Sequence, residues 1–446
     1  MNAESLLSSA QQLLQQGFPL PAVEATTDLA AMQRILDETA ERLHENYPYH
    51  HPFYLGQMLK PPHPLARLAY SLAMQLNPNN HALDGGRASS QMEKEAVAQI
   101  AAMFRWTSHL GHLTSGGTFA NLEALWVSRE LHPGKYVVAS CQAHYTHSRI
   151  SAVLSIPYRS IPADAQGRMD VVALEKELQQ GDIGTVVVTL GTTAAGAIDP
   201  LPAILELQAR YPFRIHVDAA YGGYYMLAGN LTPYGRAAYD ALPQVDSIVI
   251  DPHKHGLQPY GCGCVLFRDP SVGRFYRHDS PYTYFTSSEM HLGEISLECS
   301  RPGASAVALW ATLKLLPLKP GGAMAQGIEQ CRQAALDFTA WLGSTPDFVP
   351  LFTPELDIVV WTVRSATASE ASQKAKDFFD RAAQHDIHLA LASFPQAMVE
   401  PCGAIGEWDT SHVTCLRSCL MKPEHLAWLP QIIERLEQAR AAHSHK

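Results

Sequence analysis

Four short apolar runs, "KYVVAS", "GTVVVTLG", "FRIHVDAA" and "SIVIDP", punctuate the middle of the chain, with amphipathic stretches such as "MDVVALEKELQQ" and "LPAILELQARY" between them. The runs are β-rich and of strand length, whereas the stretches between them repeat their apolar residues at helical spacing. Near-continuous apolar strands alternating with helices predict an α/β fold with a mostly parallel sheet covered on both faces. Ligands of such sheets bind beyond the carboxyl ends of the strands. Two charged residues fall there: Asp218, which closes "RIHVD", and Lys254, which follows Ile248-Val249-Ile250.

The ends of the chain read differently. Leu6, Leu7, Leu13 and Leu14, then Leu29, Met32, Ile35 and Leu36, recur at near-helical spacing. Helices so short cannot bury their apolar faces alone, so they are expected to pack on the main body or on a partner subunit. The Pro and Gly residues of "LKPGGA" mark a hinge, beyond which helix-like and strand-like segments alternate again. The expected division is an N-terminal helical segment (1–85), a large domain (86–318) and a small C-terminal α/β domain (319–446).

Composition narrows the class. At 446 residues the chain exceeds the usual size of a single core, and 46% hydrophobic with 17% charged residues is the balance of a soluble globular protein. A net charge of −10 without basic blocks argues against a nucleic-acid partner. No apolar stretch approaches the roughly 18 residues of a membrane span. The N-terminus lacks the basic flank and apolar core of a secretory signal. Eight cysteines without a C-x-x-C pair suit a reduced cytoplasm. Two H-x-x-H pairs, His109/His112 and His144/His147, lack an E-x-x-H context, so no metal site is expected.

The chemistry lies at the strand ends. A lysine such as Lys254 attacks aldehydes once it loses its proton, which burial favours; the competing reading is a strand-end lysine reaching solvent. In "HLTSGGTFANLEALW", Gly116 and Gly117 let backbone wrap an anion, and Thr118 can cap the helix that follows. Amides exposed at that helix start would hold a phosphate, although a Gly-Gly-Thr turn alone often just connects elements. Asp218 could pair with Arg214, cap a helix, or hold the proton of a pyridine ring and make it an electron sink. His144, just beyond "KYVVAS", could lie flat on a planar cofactor or be a hydrogen-bonded core histidine. Phosphate turn, flat aromatic, carboxylate and amine together match pyridoxal 5′-phosphate.

At this point the chain resembles the pyridoxal-phosphate-dependent group II amino-acid decarboxylases, which include aromatic-amino-acid, tyrosine, glutamate and aspartate decarboxylases. The resemblance runs through "YPYHHPFYLGQML", "NPNNHALDGGRASSQMEKEAV", "TLGTTAAGAIDP", "DPHKHG", "ECSRPGASAVALW" and "CLRSCL". It implies a fold-type I enzyme, a homodimer with active sites at the subunit interface, and decarboxylation of an L-amino acid to an amine and CO2. It further implies that Lys254 forms the Schiff base with the cofactor, that Gly117, Thr118 and His253 bind its phosphate, and that Asp218 binds its ring nitrogen. Ala220 and His144 would cover the two ring faces, Thr193 would sit near the cofactor, and Arg417 would bind the substrate α-carboxylate.

Two departures stand out. Many relatives carry Asn where this chain has Asp251, whose charge opposes phosphate unless redirected. Relatives also place a catalytic tyrosine on a loop upstream of the "CSR" motif, where this chain reads "YTYFTSSEMHLGE". The proton donor therefore falls to His291, Tyr284 or Tyr282. With that loop altered, oxidative deamination to an aldehyde is the alternative reaction, and a non-catalytic cofactor-binding protein is the alternative of another class. Phe53 and Tyr54 either shape an aromatic substrate pocket or simply pack.

Overall fold

The computed structural model describes residues 2–17, 28–277 and 292–441. The main sheet has seven strands: β1 (Leu110–Thr114), β2 (Tyr136–Ser140), β3 (Tyr158–Ile161), β4 (Ile183–Thr189), β5 (Arg214–Asp218), β6 (Ser247–Ile250) and β7 (Gly263–Phe267). Their order across the sheet is β1-β7-β6-β5-β4-β2-β3, and β7 alone runs against the others. The reversal has a local cause. The return from β6 to β7, residues 251–262, contains no helix, and a strand joined without a crossover pairs antiparallel. That return carries Lys254.

The parallel strands are joined through helices that bury one stripe against the sheet. Asp170, for instance, caps the helix Val171–Leu178 by accepting from the Val172 and Ala173 amides, and the helix buries Leu174 and Leu178. Every residue of β4 is buried, as its unbroken apolar run requires of a strand covered on both faces.

Farther along lie β8 (Phe348–Pro350), β9 (Ile358–Val363), β10 (Ser365–Thr367), β11 (Ala390–Pro395), β12 (Ile405–Glu407) and β13 (His412–Cys419). Four of them form an antiparallel sheet in the order β11-β13-β9-β8, while β10 and β12 make a two-stranded ribbon. Trp361 on β9 anchors this sheet, with its ring edge-on to Phe348 at 4.7 Å and to Phe378 at 5.5 Å.

The two N-terminal helices, Ala3–Leu14 and Leu29–Leu43, form where their periodicity predicts them, but neither buries a residue. Leu29, Met32, Ile35, Leu36 and Leu43 leave an apolar stripe open along the second helix. No helix among the described residues is long and apolar enough to cross a membrane.

The turn after Asp218 depends on a close approach of backbones. Gly222 donates to the Leu190 carbonyl, and a Cβ added to Gly222 would lie 2.2 Å from that oxygen. Gly222→Ala is therefore expected to cost about 1–3 kcal/mol in urea unfolding, because β4 and β5 would have to separate at the site. Gly343→Ala, in a helix position with open space around it, is expected to stay within about 1 kcal/mol of the parent or to stabilise.

Candidate active site

The carboxyl ends of β1, β2, β4, β5 and β6 converge on a cavity of about 420 Å3. It is lined by Gly117, Thr118, His144, Thr193, Asp218, Ala220, His253 and Lys254, all eight residues that the sequence assigned to one cofactor. Arg417 does not line it.

Asp218 forms the floor. It is buried, yet three donors reach it: His147 Nε2 at 2.8 Å and Asn121 Nδ2 at 3.4 Å on Oδ2, and the Ala220 amide at 3.1 Å on Oδ1. Burial pushes the carboxyl up, but the hydrogen bond and attraction of His147, with help from the Ala220 amide and Lys254, outweigh burial and hold it well below the ordinary carboxylate range. These contacts favour the ionised form of Asp218. Arg214, the alternative partner considered from sequence, pairs with Asp246 instead.

A second layer aims these donors. His216, one residue pair before Asp218 on β5, is buried and pushed down to about 3, so its ring is neutral. Its Nε2 lies 2.8 Å from Asn121 Oδ1 and its Nδ1 2.8 Å from Ser247 Oγ. With the Nε2–H donated to Oδ1, the Asn121 amide has to turn its NH2 toward Asp218 and toward the Gly117 carbonyl, 2.9 Å away. His147, Asn121 and His216 were not singled out for this role from sequence. His147 was visible as half of an H-x-x-H pair. Its Asp218 contact, and that of His112 to Glu123 at 3.0 Å, give both pairs a carboxylate partner in the core.

At the other end stands the helix Gly117–Leu131. Its first residue, not Thr118, follows the N-cap Gly116, and no side chain caps it. The capping role read for Thr118 is corrected accordingly: Thr118 is the second residue of the helix, too far inside it to serve. The Gly117 and Thr118 amides have no hydrogen-bond partner among the described residues, and Gly116 sits at φ 155°, a conformation that suits glycine. A Cβ on Gly117 would come within 2.7 Å of Asp251 Oδ2, so this approach also demands glycine. The result is a helix start with exposed amides opening into the cavity, the arrangement that binds anions.

Lys254 Nζ lies 3.1 Å from Asp251 Oδ2, and His253 Nε2 lies 3.4 Å from the same oxygen. The Asp251 charge is thus turned toward Lys254 and His253. His253 Nδ1 is buried without a partner, and burial pushes its imidazole down. His144 is half-buried at the cavity wall, its Nδ1 accepting from the Thr146 amide at 3.2 Å, and burial favours its neutral form.

Arg417, on β13, is buried and makes no ion pair among the described residues, contrary to the surface pair that was its plainer reading. It donates to the Ala194 carbonyl at 3.2 Å, next to Thr193, and to the Gly56 carbonyl at 3.3 Å. Its Nη2 is buried without a partner. Phe53 and Tyr54 do not line the cavity: Phe53 packs edge-on to Trp428 and Tyr54 edge-on to Tyr49, which is the packing alternative. His291, Tyr284 and Tyr282 lie outside the described residues.

A planar ring bearing a phosphate and an aldehyde fits this set. The unpartnered amides and the unpartnered His253 nitrogen would suit a phosphate, the buried Asp218 anion would suit a protonated ring nitrogen, and the Lys254 amine opens into the same cavity.

Comparison with known proteins agrees. The pyridoxal-dependent decarboxylase conserved domain matches residues 65–364. An L-tyrosine decarboxylase of Enterococcus faecium is 28% identical over 94% of this chain and 90% of its own. An L-aspartate decarboxylase of Thermococcus kodakarensis is 27% identical over 78% of this chain and 88% of its own. The crystal structure of Oryza sativa TDC with PLP and tryptamine shares the fold, with a TM-score of 0.76 at 18% identity, over 98% of this chain and 95% of that one. With well over half of its length matched, the chain belongs to the pyridoxal-dependent decarboxylases, and it is a pyridoxal-phosphate-dependent amino-acid decarboxylase of fold type I.

Proposed function

We propose that the chain releases CO2 and an amine from an L-amino acid with Lys254, Asp218, His144 and Arg417 in the central roles. The observation that carries the assignment is the meeting of an amine, a buried anion and a helix start with free amides in one cavity. Pyridoxal 5′-phosphate, when bound, supplies an aldehyde for the substrate amine and a cationic ring that accepts the electron pair left by CO2.

The residues divide the remaining work. Lys254 is the cofactor-bonding amine, and Asp251 Oδ2, 3.1 Å away, can take the proton the amine must lose. Gly117, Thr118 and His253 hold the phosphate. Asp218 keeps the ring nitrogen protonated, Ala220 and His144 cover the ring, and Thr193 closes the cavity beside it. Arg417, whose Nη2 is buried without a partner, is assigned to the substrate carboxylate, a role that suits a guanidinium. The proton that replaces CO2 is assigned, on sequence alone, to His291 or Tyr284. Relatives named for tyrosine and for aspartate make aromatic and acidic L-amino acids the first substrates to test. Eight cysteines free of disulfides suit the cytoplasm.

Borohydride reduction of the loaded protein, followed by peptide mapping, is expected to leave the pyridoxyl group on Lys254. Recovery on another lysine would reject the assignment. Asp218→Asn is expected to keep the cofactor but to lose at least about 100-fold in kcat, since a neutral amide does not stabilise a ring proton. Absorbance and steady-state amine release, measured side by side, separate loss of cofactor from loss of chemistry.

The uncovered stripe on Leu29–Leu43 supports a homodimer in which a second copy covers this helix. Replacing Ile35 and Leu36 together by Glu is expected to convert dimer to monomer at micromolar concentration, read by light scattering. A dimer that survives the change would move the interface elsewhere.

A further inference from the structure

One carboxylate from the C-terminal sheet reaches both loops that carry the active-site acid and amine. Asp357, directly before β9, is fully buried. Its Oδ1 accepts from the Tyr221 hydroxyl at 2.6 Å, and its Oδ2 lies 2.8 Å from His255 Nε2. Tyr221 follows Ala220 and lines the cavity, and His255 is the neighbour of Lys254. His255 is fully buried too, with its Nδ1 3.1 Å from the Tyr221 carbonyl oxygen.

Both ring nitrogens of His255 therefore face acceptors. A carbonyl oxygen has no proton to offer, and neither has an ionised carboxylate. A neutral imidazole carries one N–H and would turn a lone pair toward one of the two oxygens in a dry site. Burial, with the repulsion of Lys60, pushes His255 toward that neutral form and outweighs the attraction of Asp357, whereas the two acceptors facing its ring nitrogens call for the charged form. Burial likewise pushes the Asp357 carboxyl up, yet the attraction and hydrogen bond of His255, with the bond from Tyr221, outweigh it and hold the group below the ordinary carboxylate range. With Asp357 ionised, the second proton belongs on the ring.

Around the pair, Lys60 is the other group that helps hold Asp357 down, and it opposes charge on His255. Tyr225 from the segment after β5, Cys331 from the helix Ala323–Ser344 and Cys419 from β13 are kept neutral by burial. His425 is pushed down to about 3. Lys60, from the N-terminal segment, is a cation or neutral and donates to the Met421 carbonyl at 3.0 Å.

We propose that His255 is a buried imidazolium locked to Asp357, and that this pair is a positioning device fixing the C-terminal sheet against the Lys254 loop. The sheet concerned is the one that carries Arg417. Val360 of β9 is the register partner of Arg417, and the Leu420 amide donates to the Asp357 carbonyl at 2.8 Å. Asp357 thereby sets the spacing between the amine and the guanidinium. This consequence rests on the carboxylate-binding role proposed for Arg417, whereas the charge on His255 does not.

Asp357→Asn isolates the charge. Its amide oxygen can accept from Tyr221, its NH2 can donate to Nε2 of a neutral His255, and Nδ1–H can still donate to the Tyr221 carbonyl, so every hydrogen bond survives. In cofactor-loaded protein labelled with 15N-histidine, the ring whose signal vanishes in His255→Gln is expected to carry two N–H protons from about pH 6 to about pH 9, and one in Asp357→Asn. The same Asn variant is expected to raise substrate KM at least about fivefold with kcat within about twofold. A neutral His255 ring in the parent protein overturns the proposed charge, and an unchanged KM in Asp357→Asn, with the ring reduced to one N–H proton, overturns the positioning role. Absence of amine from the parent protein would instead overturn the function proposed above, and would leave the His255 signal as it is.

Discussion

An anion buried in protein survives only where donors converge on it, and Asp218 imposes that requirement on everything around it. His147 has to enter from the start of the helix Thr146–Val153, and Asn121 from the inward face of the helix Gly117–Leu131. The second of these constraints reaches furthest. Asn121 stands four residues after Gly117, one turn along, so holding its amide beside Asp218 also fixes where the helix begins and points its free amides into the cavity. The two ends of the cavity, the buried acid and the helix start with free amides, are set by a single helix through a single side chain.

Much of this arrangement is legible in the sequence, for a physical reason. Parallel strands covered on both faces must be apolar throughout, so a charge that ends such a run is conspicuous, and Asp218 and Lys254 are two of the few that do. Chain direction then does the rest, because every carboxyl end in a parallel sheet lies on the same edge. What the sequence conceals is the second layer. Asn121, His147 and His216 sit within helical or strand patterns as ordinary polar residues, and nothing in the spacing of "FANLEALW" or "HYTHSR" says which carboxylate they will meet 71 to 97 residues away. Arg417 shows the same limit from the other side: its motif is readable, but its burial without a counter-charge follows from the packing of β13 against the loop carrying Ala194. The Thr118 cap failed for a local reason, since Gly116 already occupies the N-cap position.

The return from β6 to β7 carries an unusual load for a stretch without regular helix. It presents Asp251 to Gly117, Lys254 to the cavity and His255 to Asp357, three directions within five residues. A helix could not do this, because positions i, i+3 and i+4 share one face and would send all three side chains the same way. The antiparallel β7 is thus the price of a compact amine-bearing loop, and the pairing of β7 with both β6 and β1 anchors that loop from beneath.

Histidine abundance, which first raises the question of a metal, has a different physical sense in this fold. Asp218, Asp251, Asp357 and Glu123 are all buried, and each stands within 3.4 Å of a histidine nitrogen, on His147, His253, His255 and His112 respectively. A lysine or arginine could neutralise such acids, but each brings a long flexible stem and a charge that the dry core would have to accommodate whether or not it was wanted. Imidazole is compact and offers a directed N–H in either charge state. Its proton can therefore follow the needs of the local site. Where the other ring nitrogen meets a second acceptor, as in His255, the ring must stay charged; where it meets a hydroxyl that can donate, as in His216 with Ser247, it can stay neutral. The same residue type thus supplies fixed charge at one strand end and neutral orientation at another, and the identity of the second partner decides which.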